Sequence, residues 1–303
     1  MSKTKLSCMI ALAGQPNVGK STVFNMLTGL NQHVGNWPGK TVEQKSGEFS
    51  HNGNLIRLVD LPGTYSLTAN SEEERIARDF ILRERPDVVV VIVNAAALER
   101  NLYLVAELLT LLTPIVVGVN MLDVARQQGV EIELHVLETA LGVPVVPLVA
   151  SRNQGVRELV DAALRVAENP AAFAPNRPEI RPEHRPVLEE IRSLIAGKVP
   201  APYPEDWAAI KLLEGDAEIT GIIRQSTPEA WDHIHAVLKQ HEDAFLDVAG
   251  GRYEWIERMV RAAISKPRIG AITLTDRLDR VATHPFWGLV LLLGIFGLVF
   301  WLT

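Results

Sequence analysis

The residue types best suited to phosphate chemistry lie near the N-terminus, in the octapeptide GQPNVGKS at positions 14–21. It matches the pattern GxxxxGK[ST], in which glycines let backbone N–H groups face phosphate oxygens and a lysine neutralises their charge. An apolar run, Leu6–Ala13, precedes it and a helical pattern follows, which is the context that the motif requires. The sequence therefore predicts a nucleotide cradle made of Gly14, Gln15, Pro16, Asn17, Val18, Gly19, Lys20, Ser21 and Thr22.

Two further segments could hold Mg²⁺ and the terminal phosphate. A DxxG sequence follows a predicted strand and consists of Asp60, Leu61, Pro62 and Gly63. Its carboxylate could reach Mg²⁺ through water, and the Gly63 N–H could contact the γ-phosphate. Residues 34–43 (VGNWPGKTVE) predict a loop that carries Gly39, Lys40 and Thr41. We expect Mg²⁺ ligands at Ser21, Thr41 and Asp60, with residues 34–43 and 61–75 as switch segments that respond to the γ-phosphate.

Another two segments could recognise the base. The sequence NMLD at positions 120–123 follows a predicted strand, and the Asp123 carboxylate could accept hydrogen bonds from the guanine N1–H and amino group. Met121 stands where GTPases usually have a lysine that packs along the base, while Asn120 keeps its usual place. The backbone around Val149, Ala150 and Ser151 could offer an N–H to guanine O6, with Ala150 as the preferred donor.

These motifs must be positioned by an α/β domain, because apolar runs alternate with helical patterns through residue 168. Buried parallel strands read as unbroken Val, Ile and Leu runs, and ligands bind at their carboxyl ends. We predict strands at Leu6–Ala13, Leu55–Asp60, Val88–Asn94, Ile115–Asn120 and Val143–Leu148. Intervening helices are predicted at Ser21–Leu30, Ser71–Glu84, Glu99–Leu112, Ile132–Leu141 and Val156–Glu168. The fold class is thus a doubly wound, mostly parallel sheet.

Beyond a proline-rich stretch the pattern becomes helical, and we predict a small all-α domain. Its helices are expected at Arg185–Ala196, Trp207–Glu214, Glu218–Arg224, Glu229–Asp247 and Tyr253–Ser265. His233 and His235 resemble a metal pair, but helical residues two apart do not face each other. The predicted organisation is a GTPase domain at 1–168, a linker at 169–184, a helical regulatory domain at 185–265, a connector at 266–285 and a truncated first transmembrane segment at 286–303.

Composition sets limits on partners and location. The 303 residues are 47% hydrophobic and 22% charged, with a net charge of −6, so nothing indicates a basic nucleic-acid surface and we expect no nucleic-acid partner. Cys8 is the only cysteine, which fits a reducing compartment. Phe286–Leu302 lacks charged residues and suggests the start of a membrane span, and basic residues before it place residues 1–285 in the cytoplasm.

Several segments together resemble the bacterial ferrous iron transporter family FeoB: GQPNVGKS, NWPGKTVE, DLPGTYSL, ERNLYL and NMLD. The resemblance implies a cytoplasmic GTPase, a helical domain similar to guanine-dissociation inhibitors, and a polytopic inner-membrane permease for Fe²⁺. It also implies that Asn17 helps to hold K⁺ beside the phosphates. Thr64 replaces the glutamine that orients water in Ras-type enzymes, so we expect slow, K⁺-stimulated hydrolysis with Lys20, Thr41, Gly63 and Asn17 taking part.

Two other functions use the same motifs. A soluble GTPase associated with ribosomes or RNA would share the nucleotide site, although the acidic composition and apolar tail oppose it. A nucleotide sensor with negligible turnover would fit the missing glutamine and Met121. The sequence leaves open the preference for GTP over ATP. It also leaves open whether homo-oligomers and small cytoplasmic regulatory proteins are partners.

Overall fold

A computed structural model describes residues 6–68, 71–265 and 286–302. Residues up to Ser265 form one compact unit, and the later ones belong to a second. The strands of the first unit are β1 (Leu6–Gly14), β2 (Gln32–Asn36), β3 (Glu43–His51), β4 (Asn54–Asp60), β5 (Val88–Asn94), β6 (Ile115–Asn120), β7 (Glu131–Ile132), β8 (Val145–Pro147) and β9 (Ile264–Ser265). Its first helices are α1 (Lys20–Thr28), α2 (Glu72–Glu84), α3 (Leu98–Thr110), α4 (Leu122–Gln127), α5 (Leu134–Leu141) and α6 (Val156–Glu168).

Seven of the described strands form a mixed sheet in the order β2-β3-β4-β1-β5-β6-β8. Neighbouring strands from β4 to β8 are parallel, while β3 runs antiparallel to both β2 and β4. The central strands β5 (VVVVIVN) and β6 (IVVGVN) are almost entirely buried, as expected for strands covered by helices on both faces. The predicted fold class, a mostly parallel α/β sheet followed by a helical domain, is confirmed.

The edge strand β2 and its neighbour β3 were not predicted. We expected residues 34–43 to form a loop, but Gln32–Asn36 pairs with Glu43–His51, and only residues 37–42 form the turn between them. β2 is almost wholly exposed, so its sequence carries no hydrophobic alternation that could reveal a strand.

The helical domain contains α7 (Arg185–Ile195), α8 (Glu205–Leu213), α9 (Ala217–Ser226), α10 (Trp231–Gln240) and α11 (Ala244–Ala263). We expected a helix at Glu229–Asp247 and another at Tyr253–Ser265, and this division is wrong. The break falls at residues 241–243, and α11 continues through Gly250 and Gly251. A Cβ on Gly251 would lie 2.0 Å from the Glu179 carbonyl oxygen, so close packing explains this glycine.

One hydrophobic core joins the two halves of the compact unit. It runs from the sheet through Leu102 and Val105 of α3 to Trp207 and Trp255 of the helical domain. The segment that we predicted as a linker also packs against the α/β domain, where Arg177 Nε donates to the Leu109 carbonyl at 3.1 Å. The helical domain is therefore fixed against α3.

The second unit contains helix α12 (Trp287–Leu302), whose 16 residues extend about 24 Å. Among residues 6–68, 71–265 and 286–302, no helix is both long and apolar enough to cross a bilayer. The truncated first transmembrane segment at 286–303 stays a prediction. The predicted connector at 266–285, with its basic residues, lies outside the described residues.

Candidate functional site

The predicted cradle lies where β1 ends and α1 begins, at the carboxyl edge of the sheet. Gly14 is packed so closely that a Cβ there would lie 2.8 Å from the Ile92 carbonyl oxygen. Asn17 and Gly19 both have positive φ, 65° and 88°, so the chain curls at these residues before the helix. The curled backbone turns successive N–H groups toward one side, which is the geometry of an anion-binding loop.

Asn120, at the end of β6, connects the cradle to the segment predicted to read the base. Its Nδ2 donates to the Val18 carbonyl at 2.9 Å, and its Oδ1 accepts from the Ala150 N–H at 3.0 Å. A Cβ on Gly19 would lie 2.3 Å from the same Nδ2. One buried amide therefore fixes the distance between two segments that are far apart in the chain.

Lys20 and Asp60 form a buried ion pair at the centre of the site. The Lys20 ammonium donates to the Asp60 carboxylate and to the Leu61 carbonyl oxygen. Burial raises the pKa of Asp60 above its usual value, although the neighbouring Lys20 opposes the rise. A buried carboxylate of this kind favours a nearby cation, and the lysine beside it has a charge that an incoming anion could share.

A cavity of about 490 Å³ opens over these groups. It is lined by Gln15, Pro16, Asn17, Gly19, Lys20, Ser21, Thr22 and Gly63. Gly63 lies against the loop, since a Cβ there would be 3.4 Å from the Pro16 nitrogen. The structure thus brings the octapeptide and the DxxG glycine together around a single volume large enough for phosphate groups.

Gly39, Lys40 and Thr41 are not among the residues that line this cavity. Lys40 lies 3.2 Å from Glu72 of α2, and Thr41 is exposed. The turn is anchored by Trp37, whose ring contacts Phe80 edge-on at 5.4 Å. The first switch segment is therefore held against α2, and the roles predicted for its residues stay predictions.

The base-reading segments lie at the ends of β6 and β8. Met121 has a positive φ of 61°, which turns the chain so that Asp123 falls in the first turn of α4. Val149 pairs with Gln154, and the N–H of Ala150 is already bonded to Asn120. Of the two residues that follow Val149, Ser151 is the exposed one. The donor that we preferred is thus engaged within the protein.

Some polar contacts near the cradle were not foreseen. Gln15 directs its side-chain amide to the Arg100 carbonyl at 2.7 Å and so joins the loop to α3. Thr64 is buried, and its N–H donates to the Gly14 carbonyl at 3.3 Å. Because these contacts join residues distant in sequence, no local pattern indicates them.

A buried charge cluster links the second switch segment to the helical domain. Glu107 of α3 accepts a hydrogen bond from the Leu67 N–H and lies 3.4 Å from Arg252 and 3.8 Å from Lys211. Glu214 lies 2.6 Å from both of those cations. Burial raises the pKa of Glu214, but Lys211 and Arg252 outweigh it and bring the pKa below its ordinary value.

The sheet order, the curled loop before α1 and the Asn120 bridge define a P-loop domain of the GTPase type with a helical domain packed on it. The model of the family described as ferrous iron transport protein B matches residues 8–163, and that of the FeoB cytosolic helical domain matches residues 183–265. The chain belongs to the FeoB family, so the resemblance seen in its sequence is confirmed.

Curated relatives are longer than this chain. The Fe(2+) transporter FeoB of Methanocaldococcus jannaschii is 41% identical over 302 residues, which cover 96% of this chain and 44% of that protein. The Escherichia coli K12 transporter is 38% identical over 302 residues, covering 96% of this chain and 38% of that protein. The chain therefore spans about two fifths of the length of these relatives.

Solved structures of cytosolic FeoB domains share the fold. A mutant NFeoB of S. thermophilus bound to GDP superposes with a TM-score of 0.77 at 35% identity, over 86% of this chain and 100% of that one. The cytosolic domain of T. maritima FeoB in a GDP form gives a TM-score of 0.75 at 30% identity, with the same two coverages. Both structural similarities extend over the α/β and helical domains.

Proposed function

We propose that this chain binds GTP and hydrolyses it to GDP and phosphate, as the cytosolic part of an Fe²⁺ transporter of the inner membrane. The observation that carries the proposal is the Asn120 bridge, which connects the phosphate loop at Val18 to the base-reading segment at Ala150. GDP in the S. thermophilus and T. maritima structures supports a guanine nucleotide as the ligand.

Guanine would be selected by the Asp123 carboxylate, which can accept hydrogen bonds from N1–H and the amino group. Adenine lacks that amino group, so it would leave the carboxylate poorly paired. Because the Ala150 N–H is bonded to Asn120, we assign the contact with guanine O6 to the neighbouring backbone N–H, that of Ser151.

Mg²⁺ fits the donors at the centre of the site. Ser21 supplies a hydroxyl at the cavity, and Asp60 supplies a buried carboxylate; both are oxygen donors of the kind that Mg²⁺ prefers. When bound, the ion would neutralise charge on the phosphates. Lys20 would transfer its hydrogen bonds from Asp60 and Leu61 to phosphate oxygens, and Gly63 would donate its N–H to the terminal phosphate.

Hydrolysis would be slow and stimulated by K⁺. Thr64 is buried, and its side chain is shorter than the glutamine that orients the attacking water in Ras-type enzymes. Asn17 is exposed at the cavity and is the residue to which we assign K⁺. A cation there would supply positive charge during phosphoryl transfer.

The transport role extends to a part of the protein beyond this sequence. The FeoB relatives are named Fe(2+) transporters, and the present chain matches the portion that carries the nucleotide site. Family membership favours this role over a soluble ribosome-associated GTPase. We infer that nucleotide turnover here regulates or drives Fe²⁺ passage, with oligomers and small cytoplasmic proteins as further candidate partners.

The decisive experiment compares single-turnover hydrolysis of GTP and ATP by the 303-residue chain, in KCl and in NaCl. We expect GTP turnover, faster in KCl, with the Asn17→Ala variant losing the difference between the two salts. Tight GTP binding without turnover in either salt would establish the nucleotide sensor instead. Equal turnover of ATP would contradict the role given to Asp123.

A further inference from the structure

Three side chains of the helical domain meet at its surface, far from the nucleotide cavity in sequence: His184, His241 and Asp243. One potential ligand atom from each lies within 4.8 Å of the other two. We propose that they bind a divalent first-row transition-metal ion. The site is separate from the Mg²⁺ and K⁺ sites proposed above and does not depend on nucleotide chemistry.

The three ligands come from segments that the core holds in place. His184 ends a single 3-10 turn, Pro182–His184, directly before α7. His241 follows α10, and Asp243 precedes α11. Because backbone hydrogen bonds close the turn between α10 and α11, with the Ala244 N–H donating to the His241 carbonyl at 3.0 Å, this part of the site is ordered before any ion enters.

A fourth residue orients the first histidine. Asp247 Oδ2 lies 2.7 Å from His184 Nδ1, and an ionised carboxylate can only accept a hydrogen bond. The proton of a neutral His184 therefore stays on Nδ1, which leaves the lone pair of Nε2 directed toward Asp243, 3.4 Å away. A carboxylate that fixes the remote nitrogen of a histidine in this way is typical of metal sites.

Asp247 is itself held in place from the other side. Arg181 lies 3.6 Å from Asp247 and 2.7 Å from Glu254, so it bridges these two carboxylates of α11. The cation offsets part of the negative charge around Asp247, which acts on the histidine and is not itself a ligand. The arrangement thus has an inner set of ligands and an outer set that orients them.

The donor set selects the class of ion. Two imidazoles and one carboxylate suit Fe²⁺, Co²⁺, Ni²⁺ or Zn²⁺, whereas Mg²⁺ and Ca²⁺ prefer oxygen donors alone. Three protein ligands also leave coordination positions for water. Asp243 is 72% exposed and His184 only 11%, so an ion could enter from the Asp243 side and meet a histidine that is already oriented.

Without an ion, the same geometry fits a protonated His184 paired with two carboxylates. Metal binding and proton binding differ in whether they require His241, whose ring lies edge-on to His184 at 5.4 Å. Proton binding to His184 does not use His241 at all, while metal binding needs its nitrogen. Removal of His241 therefore separates the two explanations.

The helical domain contains a matched control. His233 and His235 lie two residues apart on α10, where His233 is 3.2 Å from Glu190 and His235 stacks on Trp231 at 5.9 Å. They have the same side-chain type and lie in the same domain, but each faces a different partner. The double variant His233→Ala/His235→Ala removes as many imidazoles as the site uses without touching it.

The test is anoxic titration of the 303-residue chain with Co²⁺, Zn²⁺ and Fe²⁺ in excess Mg²⁺, read by equilibrium dialysis and by the visible absorption of bound Co²⁺. We expect one ion per chain, and affinity at least ten-fold lower in His241→Ala and in Asp243→Asn. The double control should bind as the unmodified chain does.

The proposal is overturned by undiminished binding in His241→Ala, by an equal loss in the double control, or by displacement of the ion by Mg²⁺. Circular dichroism of each variant checks the fold. If His241→Ala fails to fold, Asp243→Asn decides, because that side chain is exposed and its change to an amide keeps its shape. Unchanged affinity in Asp243→Asn would then reject the site.

Discussion

The nucleotide cradle and the charge cluster between α3 and α11 both bury charged side chains, but they use them in opposite ways. In the cradle a single ammonium, that of Lys20, lies at the wall of an open cavity with one carboxylate beside it. In the cluster two carboxylates, Glu107 and Glu214, face two cations, Lys211 and Arg252. The cluster charges balance one another within the protein.

The difference separates binding from stability. A charge at a cavity wall can transfer its hydrogen bonds to a ligand, so its removal mainly weakens binding. A charge inside a balanced cluster leaves partners buried and unpaired when it is removed, so its loss mainly weakens folding. Glu107 is an exception, because its carboxylate also accepts a hydrogen bond from the Leu67 N–H of the second switch segment.

The largest effect is expected for Arg252→Ala. This side chain is 4% exposed, bonds Glu214 and the Tyr103 hydroxyl, and faces Glu107. Removing it should lower the free energy of unfolding by about 3–5 kcal/mol, since two buried carboxylates then share one cation, Lys211, where they had two. Urea denaturation measures the change.

The control for this variant is Arg261→Ala, which removes an exposed pair with Glu257 on the same helix and should cost about 0.2–0.5 kcal/mol. GTP affinity of Arg252→Ala, measured where the variant is folded, should stay within about two-fold. A stable Arg252→Ala chain with altered nucleotide affinity would instead make the cluster a link between the helical domain and the second switch segment.

Lys20→Ala should show the reverse pattern. We expect GTP affinity to fall about 100-fold, equivalent to about 2.7 kcal/mol, because charge-assisted hydrogen bonds to phosphate are lost. The stability cost should be smaller, since the raised pKa of Asp60 lets that carboxyl take up a proton when its partner is removed. Fluorescent-nucleotide titration and urea denaturation measure the two quantities.

Lys198→Ala is the matched control for Lys20. Lys198 pairs with Glu229 at 2.9 Å in a partly exposed position and lines neither the cavity nor the cluster. It should leave affinity and stability nearly unchanged. If Lys20→Ala lowered stability as much as Arg252→Ala does, the contrast between the two regions would fail.

Gly19→Ala should have a smaller effect, about a ten-fold loss of GTP affinity. The new Cβ would lie 2.3 Å from Asn120 Nδ2, so the amide must move and give up its bond to Val18. Gly29→Ala is the control: its φ of 54° is also positive, but no atom lies within 4 Å of the added Cβ. We expect it to lower stability by about 1 kcal/mol without changing affinity.

These two regions also differ in how well the sequence predicts them. The cradle is a contiguous motif between a buried strand and a helix, so its residue types and spacing were sufficient to predict it. The cluster joins α3 to residues 211–252, and the residue type of Glu107 alone looks like an ordinary exposed helical glutamate. Only the packing of α11 on α3 shows that it is buried.

The same reason explains why local sequence patterns do not indicate other contacts around the site. The turn of Lys40 toward Glu72 depends on the contact between Trp37 and Phe80, and the engagement of the Ala150 N–H depends on Asn120; both join segments distant in the chain. The histidines of the helical domain also show that contacts between distant segments cannot be read from local sequence. The pair that is close in sequence on α10 points to separate partners, while His184 and His241 meet across 57 positions.

The smallest effect is expected on the loss of stability at acidic pH. Since the pKa of Glu214 lies below its ordinary value of 4.5 in the folded chain, the unfolded chain binds its proton more tightly. The stability that this carboxylate contributes is therefore present above pH 4.5 and is lost as the pH falls through the folded pKa. Urea denaturation of Glu214→Gln should show a weaker loss of stability than the unmodified chain as the pH falls below 4.5.

Glu229→Gln tests whether burial causes this acid response. The pKa of Glu229 is also lowered, by its hydrogen bond from Lys198, but the carboxylate lies at the surface, where solvent screens the pair. We expect this variant to keep the pH slope of the unmodified chain. If both variants flatten the slope equally, the acid response reflects surface carboxylates in general, and the balanced cluster has no special part in stability.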